Sequence, residues 1–346
     1  MSEKCKTRIE WLDAVKGIAI LTVVLGHVLL GFTENDIFIN VNDTLEKINS
    51  WIYTWHMPLF FFLSGYAFRL SCLNENSLRK LEKIKRNVFN FIILYLSFQC
   101  ALCILKVVFS KFVDNKMAVE KIIYSLLFPN TLMWYLWVLI IYYIVFSFFN
   151  QNIYKKEWMI GCICMSIIGE YLAENMNFSL CFRNLFADLF FFAFGIFFSE
   201  KIKVIKTKAM YINYIYISIY FILCMFSSFE LFNLKKIHNI ILANINAFTL
   251  ILSIVYLFQV KLKNVSKILS SLGRASLVIY LLHTYIVTAI KVLIIKINVE
   301  NCILTIFFTW GLSVLITYGV YCVTCRCKWL SYLFKPISLI DLRRKK

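Results

Sequence analysis

The sequence is poor in the residues that build loops and soluble surfaces. Three of its 346 residues are proline and ten are glycine, and only 16% are charged. A soluble globular domain carries about 25% charged residues, so an ordinary soluble enzyme is excluded. No stretch is rich in Gly, Pro and Ser together and none is of low complexity. That excludes a flexible linker between soluble domains and a disordered chain. No internal repeat is present. Acidic residues are scarce as well: 19 stand against 37 basic ones, a formal net charge of +18. In a soluble chain that imbalance would suggest nucleic acid. In a membrane chain it reflects basic cytoplasmic loops, and no nucleic-acid partner is expected.

Apolar side chains are what the sequence has in abundance. They make up 61% of the chain, and the mean hydropathy is +0.74. A helical membrane span needs about 20 mostly apolar residues, so the content suffices for roughly ten spans. Apolar runs fall at 10–32, 51–70, 88–110, 132–150, 157–172, 178–199, 210–229, 238–260, 276–296 and 302–324. The expected fold is all-α: a polytopic membrane protein of about ten helices, in one transmembrane domain spanning 1–346. The last helix reaches about 324, and a short basic tail, 325–346, follows it.

Basic residues recur in every second connection. Lys4, Lys6 and Arg8 precede the first run. Arg79, Lys80, Lys83, Lys85 and Arg86 follow the second, and further basic groups follow the fourth, sixth and eighth. The positive-inside rule then puts both termini in the cytoplasm. Residues 261–274 place Leu262, Val265, Leu269 and Leu272 on one helical face, with Gly273 as a terminator. This reads as an interfacial helix. Most of the twelve cysteines sit inside apolar runs and read as small buried hydrophobes. Cys322, Cys325 and Cys327 lack a fourth ligand, so no metal is expected.

An ionisable group inside a bilayer is costly and marks a candidate site. Asp13, Lys16, His27, His56, Glu170, Arg183, Asp188 and His283 form that short set, with Lys106 and Lys291 beside it. Lys16 and His27 are eleven residues apart, which is about three turns plus 20°, or ~16 Å along a helix. Both project from one face, with Lys16 near the cytoplasmic end. Asp13, three residues before Lys16, is placed for a local ion pair. The same pattern also fits a Lys16 that snorkels to headgroups and a His27 that only ties helices together. His56 begins the antiparallel second span at a depth similar to His27, and Arg69 ends that span at the level of Lys16. Imidazoles above cations suit a general base near neutral pH and a phosphorylated ligand below it.

The segments RIEWLDAVKGIAILTVVLGH and WIYTWHMPLFFFLSGYAF resemble the acyltransferase 3 family of integral membrane acyltransferases. In appearance they are closest to its fucose 4-O-acetylase-like branch. Asp13, Lys16, Gly17 and His27 meet the first element. His56, Pro58, Ser64 and Gly65 meet the second. Trp134 and Leu136 echo a W-F-L element, and Ser276, Tyr280 and His283 a late S-L-x-I-Y-L-x-H element. The family's R-x-x-R is Lys83-x-x-Arg86 here, and Lys lacks the bidentate fork of Arg.

The resemblance implies an O-acyltransferase that moves an acyl group, acetyl above all, from acyl-CoA to a hydroxyl of a surface glycan or its lipid-linked precursor. Acetyl-CoA is then the donor substrate, and the other partners are a carbohydrate acceptor and the lipid bilayer. The expected location is the plasma membrane, crossed many times. His27, His56 and Asp13 are the candidate catalytic residues. Lys16, Arg69, Arg86 and Lys83 are the candidates for the CoA phosphates. Trp134, His283 and Asp188 are the candidates for the acceptor. His56 is expected to donate to the oxyanion or to orient His27. A secondary transporter or a non-catalytic partner in glycan export is the competing reading. The Gly/Pro-broken helix pairs of many transporters are missing, which speaks against the first of these.

Overall fold

The computed structural model describes residues 9–35, 37–73, 77–108, 121–129, 133–148, 156–176, 178–201, 236–260, 266–297 and 301–334. In chain order they form α1 Glu10–Thr33, α2 Asn42–Phe68, α3 Ser77–Val108, α4 Lys121–Leu127, α5 Trp134–Ser147 and α6 Lys156–Asn175. There follow α7 Leu180–Ala187, α8 Leu189–Lys201, α9 Lys236–Val260, α10 Ser266–Ile297, α11 Cys302–Arg326 and α12 Lys328–Phe334. No strand occurs among the described residues. Six stretches there are long and apolar enough to cross a membrane: Glu10–Thr33, Leu78–Leu105, Leu180–Ser199, Ile240–Phe258, Lys267–Ile297 and Cys302–Arg326. The chain is an all-α multi-pass membrane protein, as lipid demands of a backbone that must satisfy its own polar groups.

Several expected boundaries move. α2 begins at Asn42 rather than near 51. α3 begins at Ser77 rather than near 88. Arg79, Lys80, Lys83, Lys85 and Arg86 therefore ride on helical turns, because Leu, Lys, Arg and Glu are good helix formers and no Gly or Pro interrupts them. The run at 178–199 is divided at Asp188. Residues 266–297 form one helix, so Gly273 does not terminate an interfacial segment; it lies inside α10. The run at 210–229 lies outside the described residues.

The chain divides into two compact units. The first holds α1, α2 up to Phe60, α9 from Asn244, α10, and α11 up to Tyr321. Its centre is the pairing of α1 with α10. A Cβ added to Gly17 would collide with the Leu269 carbonyl oxygen, and one added to Gly273 with that of Asp13. Two glycines thus bring the backbones into contact, as small residues do between membrane helices. Farther along, His27 meets His283 and Gly31 faces the Lys291 side chain. Residue numbers rise together on both helices, so α1 and α10 run parallel. Trp310 Nε1 of α11 donates to the Leu21 carbonyl of α1 at 2.9 Å. On α11, buried Thr305, Thr309, Ser313 and Thr317 each donate to the carbonyl four residues back at 2.6–2.7 Å. Each hydroxyl of that stripe is thus satisfied by its own helix.

The second unit holds the rest of α2, α3 to α8, the start of α9, the end of α11 and α12. Here α2 and α8 cross at a reciprocal glycine pair. A Cβ on Gly65 would strike the Phe192 carbonyl oxygen, and one on Gly195 that of Phe62. Phe61, Tyr135, Tyr142, Phe146 and Phe192 pack around the crossing with ring centroids 4.8–5.3 Å apart, within the range of favourable aromatic pairs. The break at Asp188 exposes backbone carbonyls to neighbours. Tyr142 Oη donates to the Leu185 carbonyl at 2.6 Å, and Ser166 Oγ to that of Ala187 at 2.9 Å. Two hydroxyls from α5 and α6 thus supply hydrogen bonds at the break.

Candidate functional site

The candidate chemistry lies in the first unit. α1 is unbroken from Glu10 to Thr33, so Lys16 and His27 do share a face, ~16 Å apart along the axis. His27 is half-buried. Its ring stands 5.1 Å from that of His283, tilted by 44°. Its Nδ1 lies 3.2 Å from Tyr53 Oη. The Tyr53 ring stands edge-on to His27 at 6.0 Å and to His56 at 4.7 Å. Three imidazoles from α1, α2 and α10 therefore form one connected cluster, with Tyr53 joining two of them.

His56 and His283 share a feature. The Nδ1 of His56 is 2.7 Å from the Ile52 carbonyl. That of His283 is 3.0 Å from the Ile279 carbonyl and 2.8 Å from that of Tyr280. A carbonyl oxygen only accepts, so in both rings Nδ1 carries the hydrogen. In the neutral form each Nε2 is then a bare lone pair. Both residues are buried, and His283 Nε2 has no hydrogen-bond partner among the described residues. A buried polar atom left this way costs about 1–3 kcal/mol, so it calls for an external donor. For His56 the consequence differs from the sequence expectation. A neutral ring with Nδ1–H engaged has no hydrogen left to donate to an oxyanion.

Asp13 does not join the imidazoles. Fourteen residues of α1 separate it from His27, about 21 Å along the axis. It is buried near the start of the helix, with its backbone against Gly273. Lys16, one turn on, is half-buried.

The remaining candidates belong to the second unit. Arg69 opens a π-helical turn, Arg69–Leu73, that extends α2. Lys83 is half-buried and Arg86 exposed, three residues apart on the first turns of α3. Trp134 starts α5, and its ring packs 5.9 Å from Phe61. Asp188 is buried at the break between α7 and α8. Arg183, five residues before it, pairs with Glu174 of α6 at 3.7 Å.

Tyr53 is a member of the cluster that intramembrane charge does not single out. The signal was in its spacing: it lies three residues before His56, on the same face of α2. The buried Asn246 of α9, whose Nδ2 donates to Thr54 Oγ1 at 3.0 Å, carries no charge to mark it either.

Comparison with known proteins gives one result. A family model described as an acyltransferase domain matches residues 9–325. No curated protein and no solved structure matches the chain.

Proposed function

We propose, from the premise that the chain belongs to the acyltransferase 3 family, that it transfers an acyl group from acyl-CoA to a hydroxyl of a surface glycan or of its lipid-linked precursor. Acetyl is the acyl group proposed, and the plasma membrane the location. The chain's membership in that family makes it a membrane acyltransferase; the donor, the acceptor and the location are our reading.

The observation that supports the chemistry is the cluster of His27, His56 and His283 around Tyr53 in the first unit. His27 is the half-buried ring among them, and the other two have their tautomers set by backbone carbonyls. In this account the acceptor O–H donates to His27 Nε2. The proton moves to that nitrogen as the oxygen attacks the thioester carbonyl carbon. The C–S bond breaks, and the departing thiolate takes the proton from the imidazolium. His283 Nε2 accepts a hydrogen bond from a second hydroxyl of the acceptor, the donor its burial calls for. Neutral His56 serves as an acceptor in the same way.

Lys16, Arg69, Arg86 and Lys83 are assigned to the CoA phosphates on charge. Trp134 and Asp188 are assigned to the acceptor on residue type: an aromatic face and a carboxylate acceptor. Asp13 is assigned to positioning Lys16, one turn away, rather than to the chemistry.

The test uses the full chain reconstituted in liposomes with acetyl-CoA. Release of free CoA thiol is followed with and without the host's glycan fraction. Thiol release that requires the glycan supports the reading. Thiol release that is indifferent to the glycan contradicts it.

A further inference from the structure

The three imidazoles of the first unit are not held alike. His56 and His283 give Nδ1 to carbonyls of their own helices. The Nδ1 of His27 instead meets a side chain from another helix, the phenol oxygen of Tyr53, at 3.2 Å. That oxygen can accept or donate. If it accepts, His27 carries its hydrogen on Nδ1 and presents a bare Nε2. If it donates, the neutral ring carries its hydrogen on Nε2 and cannot act as a base there.

The residue before His27 makes room for this contact. A Cβ on Gly26 would sit 3.2 Å from Tyr53 Cε2, tighter than ordinary packing, and 3.5 Å from Ile52 Cγ2. Glycine at this position lets the phenol ring approach α1 at the level of His27. The same ring packs edge-on against His56 at 4.7 Å, which limits its movement on the other side.

We propose that Tyr53 is the positioning residue of His27. Its phenol oxygen accepts the Nδ1 hydrogen, which fixes the tautomer with a bare Nε2 and aims the ring. When Nε2 takes up a proton, the Nδ1–H···O bond becomes charge-assisted and strengthens, so the contact favours the protonated intermediate over the resting ring. The proposal rests on the acyl-transfer reading for its catalytic meaning, while the tautomer itself can be measured without that reading.

The chain has four histidines: His27, His56, His238 and His283. Labelling the full-length protein with ¹⁵N-histidine therefore gives few resonances. Solid-state NMR in lipid bilayers separates protonated from unprotonated ring nitrogens at each. Variants His27→Asn, His56→Asn and His283→Asn assign the signals. The expected result is Nδ1–H for His27 in the wild type. In Tyr53→Phe, the His27 signals shift to a mixture of tautomers while those of His56 and His283 stay. Tyr53→Phe keeps the ring and its packing, so loss of fold does not confuse the outcome. An Nε2–H tautomer for His27 in the wild type, or His27 signals unmoved in Tyr53→Phe, overturns the proposal. Acetyl transfer from labelled acetyl-CoA to the glycan fraction is measured on the same membranes. There Tyr53→Phe should lower kcat by about tenfold to a hundredfold at unchanged KM for acetyl-CoA, a part of the 10²–10⁴ that a positioned base supplies. A wild type that transfers nothing contradicts the acyl-transfer reading and leaves the tautomer result standing. A wild type that transfers and a Tyr53→Phe variant with equal kcat overturn the catalytic part of the proposal alone.

Discussion

The rings of His27 and His283 stand 5.1 Å apart, although 256 positions separate them in the chain. The glycine contacts between α1 and α10 hold the two helices close enough for this meeting. His283 completes the pair with a buried nitrogen that no described residue satisfies. Replacing it with alanine removes one hydrogen-bond acceptor from the site. With acetyl-CoA saturating, His283→Ala should raise the acceptor KM about twofold to tenfold, the worth of one hydrogen bond. The KM for acetyl-CoA should not move. Initial rates over a range of glycan concentration check this.

The α1–α10 contact itself is open to test. Gly273→Ala places a methyl group on the Asp13 carbonyl. Overpacking of this kind costs about 1–3 kcal/mol, so the variant should lose thermal stability in detergent and fold in lower yield. Gly311→Ala and Gly319→Ala are the controls. Among the described residues nothing lies within 4 Å of a Cβ at either position, and alanine is the better helix former by about 1 kcal/mol. Both controls should be at least as stable as the wild type. Fluorescence-detected size-exclusion after a heating series measures all three.

In the second unit, Tyr142→Phe removes the hydroxyl that donates to the Leu185 carbonyl near the break at Asp188. The ring stays and the buried carbonyl loses its donor, at a cost of about 1–3 kcal/mol. Thermal melts should show the loss. Ser147→Ala, whose hydroxyl bonds only one turn back on an exposed stretch, should change little.

Lys16 is assigned to the donor through charge. Lys16→Gln should raise the KM for acetyl-CoA and leave kcat much closer to wild type, the pattern of lost uniform binding. Added salt should weaken donor binding in the wild type more than in the variant. Steady-state rates at two ionic strengths decide this. A fall in kcat with unchanged KM would move Lys16 out of donor binding.

Much of the fold was legible because lipid leaves few choices. Apolar runs of span length had to become helices, and α1, α9 and α11 appear close to where their sequences place them. What was not legible came from tertiary contact. Gly273 reads as a stop in isolation, yet it continues a helix because its missing side chain admits the α1 backbone. Asp188 looks like one more residue of a long span, yet it sits where two helices meet and neighbouring hydroxyls bind the backbone. The division into two units left no mark in composition, since no linker separates them and α2 runs through the boundary.

The candidate site was legible in part for a related reason. His27, His56 and His283 stand out as ionisable groups in apolar surroundings, and the structure brings them together. Tyr53 does not stand out, because nineteen tyrosines are spread through the chain and they are at home near membranes. Its importance lies in which atom it meets, and spacing alone does not reveal that. The tautomers of His56 and His283 were equally hidden, since they depend on backbone carbonyls one turn back.

His27 is the residue assigned to the acyl transfer itself. Its most direct test compares membranes holding wild type or His27→Ala at matched expression, supplied with labelled acetyl-CoA and the host's surface glycans and lipid-linked precursors. The readout is base-labile label on the glycan fraction. Wild type should label the glycan, and His27→Ala should lower the label about 10²–10⁴-fold. Equal label in the two would remove His27 from the chemistry.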